Sequence, residues 1–394
     1  MRNVALIIET SSSYGRGLLK GIARYNFEKG DWVIHFRPYG LSESVPRWFQ
    51  LWHGDGILAR IDNPLVAEAV LSHGVPVIDL RNKLDLNIPP FGTSNSAVSA
   101  MAFEHFRDCG LRNFAFYGEP SGTYRYDDDR RMGFQNRVTQ AGCDCHIFCY
   151  EEDSPEATDG DLRQDRLSEW ILSLPKPIGI LCCHDEQGQE LVDVCRICDV
   201  KVPGQVAVLG VDNDPFICGL SIPTLSSIDL NTDRIGYEAA ATLDKMMSIP
   251  DYSFSGELIP PRIVITRKST DLLASDDPEI VQAVRFIRKN ACLGISVDDV
   301  IHAIPMSRST LNRRFKALFD QSPKAVIIRT QLDLARRALI ETDLAISVVS
   351  CRCGFSDAKY FHEVFLRRVG VTPHQFRMTH SLVNNAAARD ILQE

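Results

Sequence analysis

From Val4 to Arg267, short apolar runs alternate with segments of helical periodicity, and that alternation leaves few folds open to the chain. The runs Val4–Ile8, Trp32–Phe36, Gly56–Ala59, Val75–Leu80, Asn113–Tyr117, His146–Tyr150, Ile178–Cys182, Val206–Val211 and Arg262–Thr266 read as strands. Between them, Gly15–Glu28, Ser94–Cys109, Arg130–Ala141, Gln187–Cys198 and Asn231–Met247 read as helices. Strands that alternate with helices form parallel sheets covered on both faces. Nine strands are many for one such unit, so two doubly wound sheets are expected, each in its own lobe.

In open sheets of this kind ligands bind off the carboxyl ends of the strands. After the first run come Ser12, Ser13, Tyr14 and Arg16, whose hydroxyls, ring and guanidinium suit a small polyol. Ser94 and Asn95 precede a helix and serve equally as caps or contacts. His184-Asp185-Glu186 and Asp212-Asn213-Asp214 put carboxylates at two further strand ends, where they could hold adjacent hydroxyls or simply complement helix dipoles. Their recurrence favours a shared cleft. Neither Gly-x-Gly-x-x-Gly after a strand nor Gly-x-x-x-x-Gly-Lys-Ser/Thr occurs, so a nucleotide is not expected and no cofactor is implied.

Beyond a short polar stretch, residues 269–278, which reads as an interdomain linker, the pattern becomes wholly helical. Ser307 can cap a helix on which Leu311 and Phe315 share one side and Arg308, Ser309, Asn312 and Arg313 the other. With Val297, Val300 and Ile301 before a turn at Ile304-Pro305-Met306, this makes a helix-turn-helix able to enter the major groove. A surface helix with solvated charges would look similar at first. However, Ile346–Phe355, a turn at Ser356 and Asp357–Arg368 repeat the arrangement, with Pro323–Glu341 as the joining helix. Two reading helices in one chain are expected about one DNA turn, roughly 34 Å, apart.

The net charge of −8 argues against nucleic acid until it is divided. Residues 275–394 carry 17 Lys and Arg against 13 Asp and Glu, a balance of +4 that leaves −12 upstream. The twelve cysteines have no ligand spacing for a metal and read as reduced thiols, Cys195 and Cys198 included. No apolar run spans a bilayer and no export signal opens the chain, so the expected location is the cytoplasm, without membrane contact.

Arg130-x-x-Gly133-Phe134, Leu209-Gly210-Val211-Asp212-Asn213, Pro223–Ile228 and Gly236–Ala240 resemble the effector domain of LacI/GalR-type regulators, itself similar to periplasmic sugar-binding proteins. The resemblance implies two Rossmann-like lobes joined by three crossovers over residues 1–268, with a sugar between them held by Arg130 and Asp212. Asp185 is added by its strand-end position. Ser94 departs from the Asp that those regulators often carry, and the chain begins at the first strand, without their DNA-binding headpiece.

Gly354-Phe355-Ser356-Asp357, Tyr360-Phe361, Phe365, Gly370-x-Thr372-Pro373 and Phe376-Arg377 resemble the AraC/XylS-type DNA-binding domain, which implies an all-α tandem helix-turn-helix over residues 279–380 and a tail at 381–394. By position, base reading falls on Arg308, Ser309, Asn312 and Arg313 and on Ala358, Lys359, His362 and Glu363. Arg314, Lys316, Arg367 and Arg368 are expected at the phosphates. The fusion as a whole resembles the xylose-responsive operon regulators, implying operator DNA, a pentose such as D-xylose, a homodimer and RNA polymerase as partners. A sensor of another small polar ligand is the alternative; a sugar-acting enzyme using Asp185, Asp212 or a cysteine is a weaker one.

Overall fold

The structure, a computed structural model, describes all residues except 30–31, 39, 41–44, 149, 151–159, 251, 253, 272–276, 320 and 381–394, together with the side chains of 379 and 380. The expected tail therefore lies outside the described residues. The chain divides into two units, Met1–Phe106 with Leu111–Leu272 and Arg107–Gly110 with Leu273–Glu394.

In the first unit, β1 (Arg2–Ile7), α1 (Ser13–Lys29), β2 (Trp32–His35), α2 (Arg47–Gln50), β3 (Gly56–Ala59), α3 (Pro64–Leu71) and β4 (Val77–Asp79) form one lobe, with a parallel sheet ordered β2-β1-β3-β4. Alternate residues of a strand face opposite ways. Accordingly, Val4 and Leu6 enter one buried cluster with Leu18 and Ile22, while Ala5 and Ile7 enter another with Phe49 and Val66. Both faces are covered, as the unbroken apolar run requires.

After β5 (Phe91–Thr93), helix α4 (Asn95–Asp108) leads into the second lobe, built from β6 (Asn113–Tyr117), α5 (Arg125–Gln140), β7 (Cys145–Phe148), α6 (Gly160–Ser173), β8 (Ile178–Cys182), α7 (Asp185–Ile197), β9 (Val206–Val211), α8 (Pro215–Leu220) and β10 (Ser226–Asp229). Helix α9 (Thr232–Ser248) returns to the first lobe and packs on α1 so closely that a Cβ on Gly236 would stand 2.1 Å from the Leu18 carbonyl. β11 (Glu257–Ile259) pairs with β5, and β12 (Ile263–Ile265) closes the second sheet, ordered β12-β10-β9-β8-β6-β7. The chain thus passes between lobes three times. Two of the passages meet at buried Arg262, which donates to Asp229 at 3.1 Å and Asn231 at 2.7 Å and also holds Asp233.

Three expectations need correction. The second sheet is not purely parallel, because β12 runs antiparallel to β10, with Ile228 opposite Val264. The strands β5, β10 and β11 were not anticipated: each is only three or four residues long, and Ser226-Ser227-Ile228-Asp229 looks polar until its serines are buried. Ser269 and Thr270 are not linker either. They are buried in a short 3₁₀ turn, where Ser269 donates to the Val208 carbonyl at 2.6 Å and Thr270 to Ser226 at 2.8 Å.

Among its described residues the second unit is helical: α10 (Pro278–Asn290), α11 (Val297–Ala303), α12 (Arg308–Phe319), α13 (Pro323–Glu341), α14 (Ile346–Arg352), α15 (Ala358–Val369) and α16 (Pro373–His380). Pro278 opens α10 with Asp277 as its cap, so it too belongs to the unit rather than to a linker. Ile280, Val284 and Ile287 of α10 bury with Val300, Leu311, Phe315 and Ile327 in one core. In the second half, Phe361 packs on Phe355 and Phe365, and Phe365 on Phe376, with ring centres 4.9, 5.4 and 5.4 Å apart.

Candidate functional site

Where the carboxyl ends of the two sheets face each other, the first unit holds a cleft of about 680 Å³, a size ordinary for small-molecule sites. The first lobe lines it with Ser12, Tyr14, Arg60, Arg81, Asn82 and Thr93. Opposite stand Asn95, Glu119, Tyr124, Tyr126, Arg130 and, at the ends of β8 and β9, His184, Glu186 and Asp212.

Of the sequence-predicted contacts, Ser12, Tyr14, Asn95, Arg130 and Asp212 line the cleft together. Arg130 is fixed by donating to Asn95 at 3.0 Å and to the Cys183 carbonyl at 2.6 Å, and its guanidinium lies 5.1 Å from the centre of the Tyr126 ring. Asp212 sits at φ 105°, a left-handed conformation uncommon for a residue with a Cβ, and burial pushes its carboxyl up to about 6 against the pull of Arg130 and His184.

Four expected contacts lie elsewhere. Asp185 is wholly buried beneath the β9 loop; its carboxylate accepts from the Asp214 N–H at 2.7 Å, from the Cys218 thiol at 3.4 Å and from the Ser227 hydroxyl. Burial and the charge of Asp212 push it up to about 8, so it shapes the turn that presents Asp212 and is not among the lining residues. Arg16 donates to the carbonyls of Thr10 and Ser11 at 2.8 Å and pairs at 3.2 Å with Asp214, outside the lining. Ser13 begins α1, and Ser94 spends its hydroxyl on Ser96 at 3.3 Å. None of the four is among the lining residues, since the first turn of a helix divides its side chains between cleft, core and solvent.

The same register puts His184 and Glu186, the neighbours of Asp185, on the cleft. Burial opposes a charge on His184, but its hydrogen bonds to Glu119 at 3.2 Å and Glu186 at 3.0 Å outweigh burial and raise it to about 10. Arg60 and Arg81 also line the cleft, and both directly follow strand-like runs, the positions where contacts are expected. Arg60 is buried against Glu9 and pushed down to about 9, charged at neutral pH, with its guanidinium 4.9 Å from the Tyr14 ring centre. Tyr124 and Tyr126 stack 5.3 Å apart, and Arg81 lies 5.1 Å from Tyr124. Arginines, ionised carboxylates and aromatic faces in near balance suit a neutral polyhydroxyl ligand: charged groups bind hydroxyls, rings cover apolar C–H faces.

In the second unit, α12 buries Leu311, Phe315 and Phe319 and exposes Arg308, Ser309, Asn312, Arg313 and Lys316. Ser307 caps it through the Thr310 N–H at 3.3 Å. On α15, Phe361, Val364 and Phe365 are buried, while Ala358, Lys359, His362, Glu363, Arg367 and Arg368 are exposed. Arg308 meets Asp298 at 3.1 Å, an exposed pair weak enough to exchange. Arg314 departs from its expected place at the phosphates: it is half-buried between Asp277 and Glu279, at 2.7 and 2.8 Å, and joins α12 to the start of α10.

Comparisons with known proteins follow the same division. Residues 103–270 match the periplasmic binding protein-like domain family and residues 301–379 a helix-turn-helix domain family. The xylose operon regulatory protein of Escherichia coli (strain K12) is 31% identical over 387 residues, covering 96% of this chain and 98% of that protein. That of Haemophilus influenzae (strain Rd) is 30% identical over 390 residues, covering 95% and 98%. A solved structure of a xylose-binding transcription activator superposes with a TM-score of 0.61 at 30% identity, covering 96% of this chain and 98% of that one. A LacI family regulator from Enterococcus faecium with bound ribose, 16% identical at a TM-score of 0.54 and covering 69% and 99%, shares the fold of the lobes.

Proposed function

We propose, for a chain that belongs to the family of the xylose operon regulatory proteins, that its cleft takes a pentose such as D-xylose and that the sugar governs how its two reading helices meet DNA. It is a DNA-binding transcription regulator, not an enzyme. The observation that carries the sugar assignment is the pairing of Asp212 and Arg130 on one wall with Tyr14 and Arg60 on the other. A sugar that bridges both walls favours one arrangement of the lobes, and the affinity difference between arrangements is the signal.

On the DNA side, Arg308 and Arg313 suit guanine O6 and N7, Asn312 adenine, and Glu363 a cytosine amino group. Lys316, Arg367 and Arg368 hold phosphates. Arg314, spent on Asp277 and Glu279, acts by seating α12. The protein works in the cytoplasm as a homodimer that addresses RNA polymerase. Exposed Phe216, Leu220 and Ile222, on and just after α8, support a second copy as partner.

A thermal-shift screen of the intact protein against pentoses and hexoses tests the effector, because a ligand that binds the native state raises its melting temperature. D-xylose is expected to give a saturable rise that Asp212→Ala removes. No rise with any pentose at millimolar concentration sinks the sugar assignment and leaves the DNA assignment standing.

A further inference from the structure

The two helix-turn-helix halves meet at one buried amide. Gln331, midway along α13, is 5% exposed, and its Nε2 donates to the Ala291 carbonyl at 3.0 Å and to the Gly354 carbonyl at 2.9 Å. Ala291 opens the 3₁₀ turn Ala291–Leu293, just before the first half. Gly354 belongs to the turn of the second half, between α14 and the reading helix α15. The backbones are close as well: Gly354 has φ +82°, and a Cβ there would stand 2.2 Å from the Ala291 oxygen and 2.7 Å from the Gly294 nitrogen.

We infer that Gln331 is a positioning residue that fixes the separation of the two reading helices, and so the spacing of the half-motifs a single chain recognises on DNA. On the joining helix, Val326 and Ile327 enter the first core, and Leu339 and Ile340 are buried towards its far end. Apolar contacts are non-directional and tolerate small sliding. Two hydrogen bonds from one planar amide to carbonyls of both halves do not, because both of its protons are committed and their directions fix where the two carbonyls stand relative to each other. Removing the donors while keeping the volume leaves each half folded and able to read its own bases, but frees the angle between them. The inference rests on the reading that α12 and α15 both enter DNA grooves.

Selection of the full-length protein and its variants on a duplex library of about 25 random base pairs, long enough for two half-motifs one turn apart, tests both levels. Wild type is expected to enrich two half-motifs at one spacing. In Gln331→Met, and in Gln331→Leu as a second donor-free variant, the same half-motifs persist while preference for that spacing over its neighbours falls on the order of tenfold. If the donor-free variants keep the wild-type spacing, or lose the half-motifs themselves along with it, the positioning role is overturned. If wild type enriches no paired half-motif at all, the two-helix reading of DNA itself fails.

Discussion

Asp212 is the side chain on which sugar recognition turns. Its carboxyl, held near 6 by burial, accepts hydroxyl hydrogens best when ionised, so a bound sugar lowers its pKa and, below about pH 6, a proton must leave as sugar binds. Sugar affinity is therefore expected to be full above about pH 6 and to fall up to tenfold per pH unit below it, as calorimetry between pH 5 and 8 would register; a flat profile is incompatible with direct contact. His184 runs the other way. Its folded pKa, about 10, lies above the unfolded value of roughly 6.5, so its contribution to stability is complete below pH 6.5 and disappears as pH rises through 10. Melting of wild type and His184→Gln should accordingly differ most at about pH 6 and converge as pH rises through about 10. An off-by-one register separated expectation from structure here: the acids after β8 were visible in sequence, but which of three consecutive residues turns inward depends on the helix start, which composition does not reveal.

Among the elements, helices with a clean apolar stripe were legible almost to the residue. Pro323–Glu341 was read with the bounds it has, because Ser322 caps it, proline opens it and a full stripe runs along it. Strands of three or four residues carry no periodicity, and β5, β10 and β11 exist only because a neighbour supplies the ladder. Tertiary pairing also reassigned Arg314. Since it ties α12 to Asp277 and Glu279, Arg314→Ala is expected to lower unfolding stability by about 1 kcal/mol, discounted for its partial exposure, with base preference kept. Arg313→Ala, fully on the exposed face, should relax base choice at one position at little cost in stability. Denaturant titration and base-substitution binding of the two variants check this; the opposite pattern would return Arg314 to the DNA.

For the whole molecule, the alternation of runs and helices, the split in charge and the duplicated helix-turn-helix were enough to foresee two lobes followed by a tandem reading domain. The three crossings of the lobes were implied by resemblance, and Arg262 at their junction went unnoticed because an isolated arginine in a strand-like run gives no sign of burial. The sharpest test of sugar-dependent DNA reading is the dissociation constant of the intact protein on its selected duplex, measured at fixed salt with and without saturating D-xylose. A change of at least about fivefold is expected, which Asp212→Ala abolishes while binding without sugar persists. An unchanged constant in wild type would contradict sugar-dependent reading.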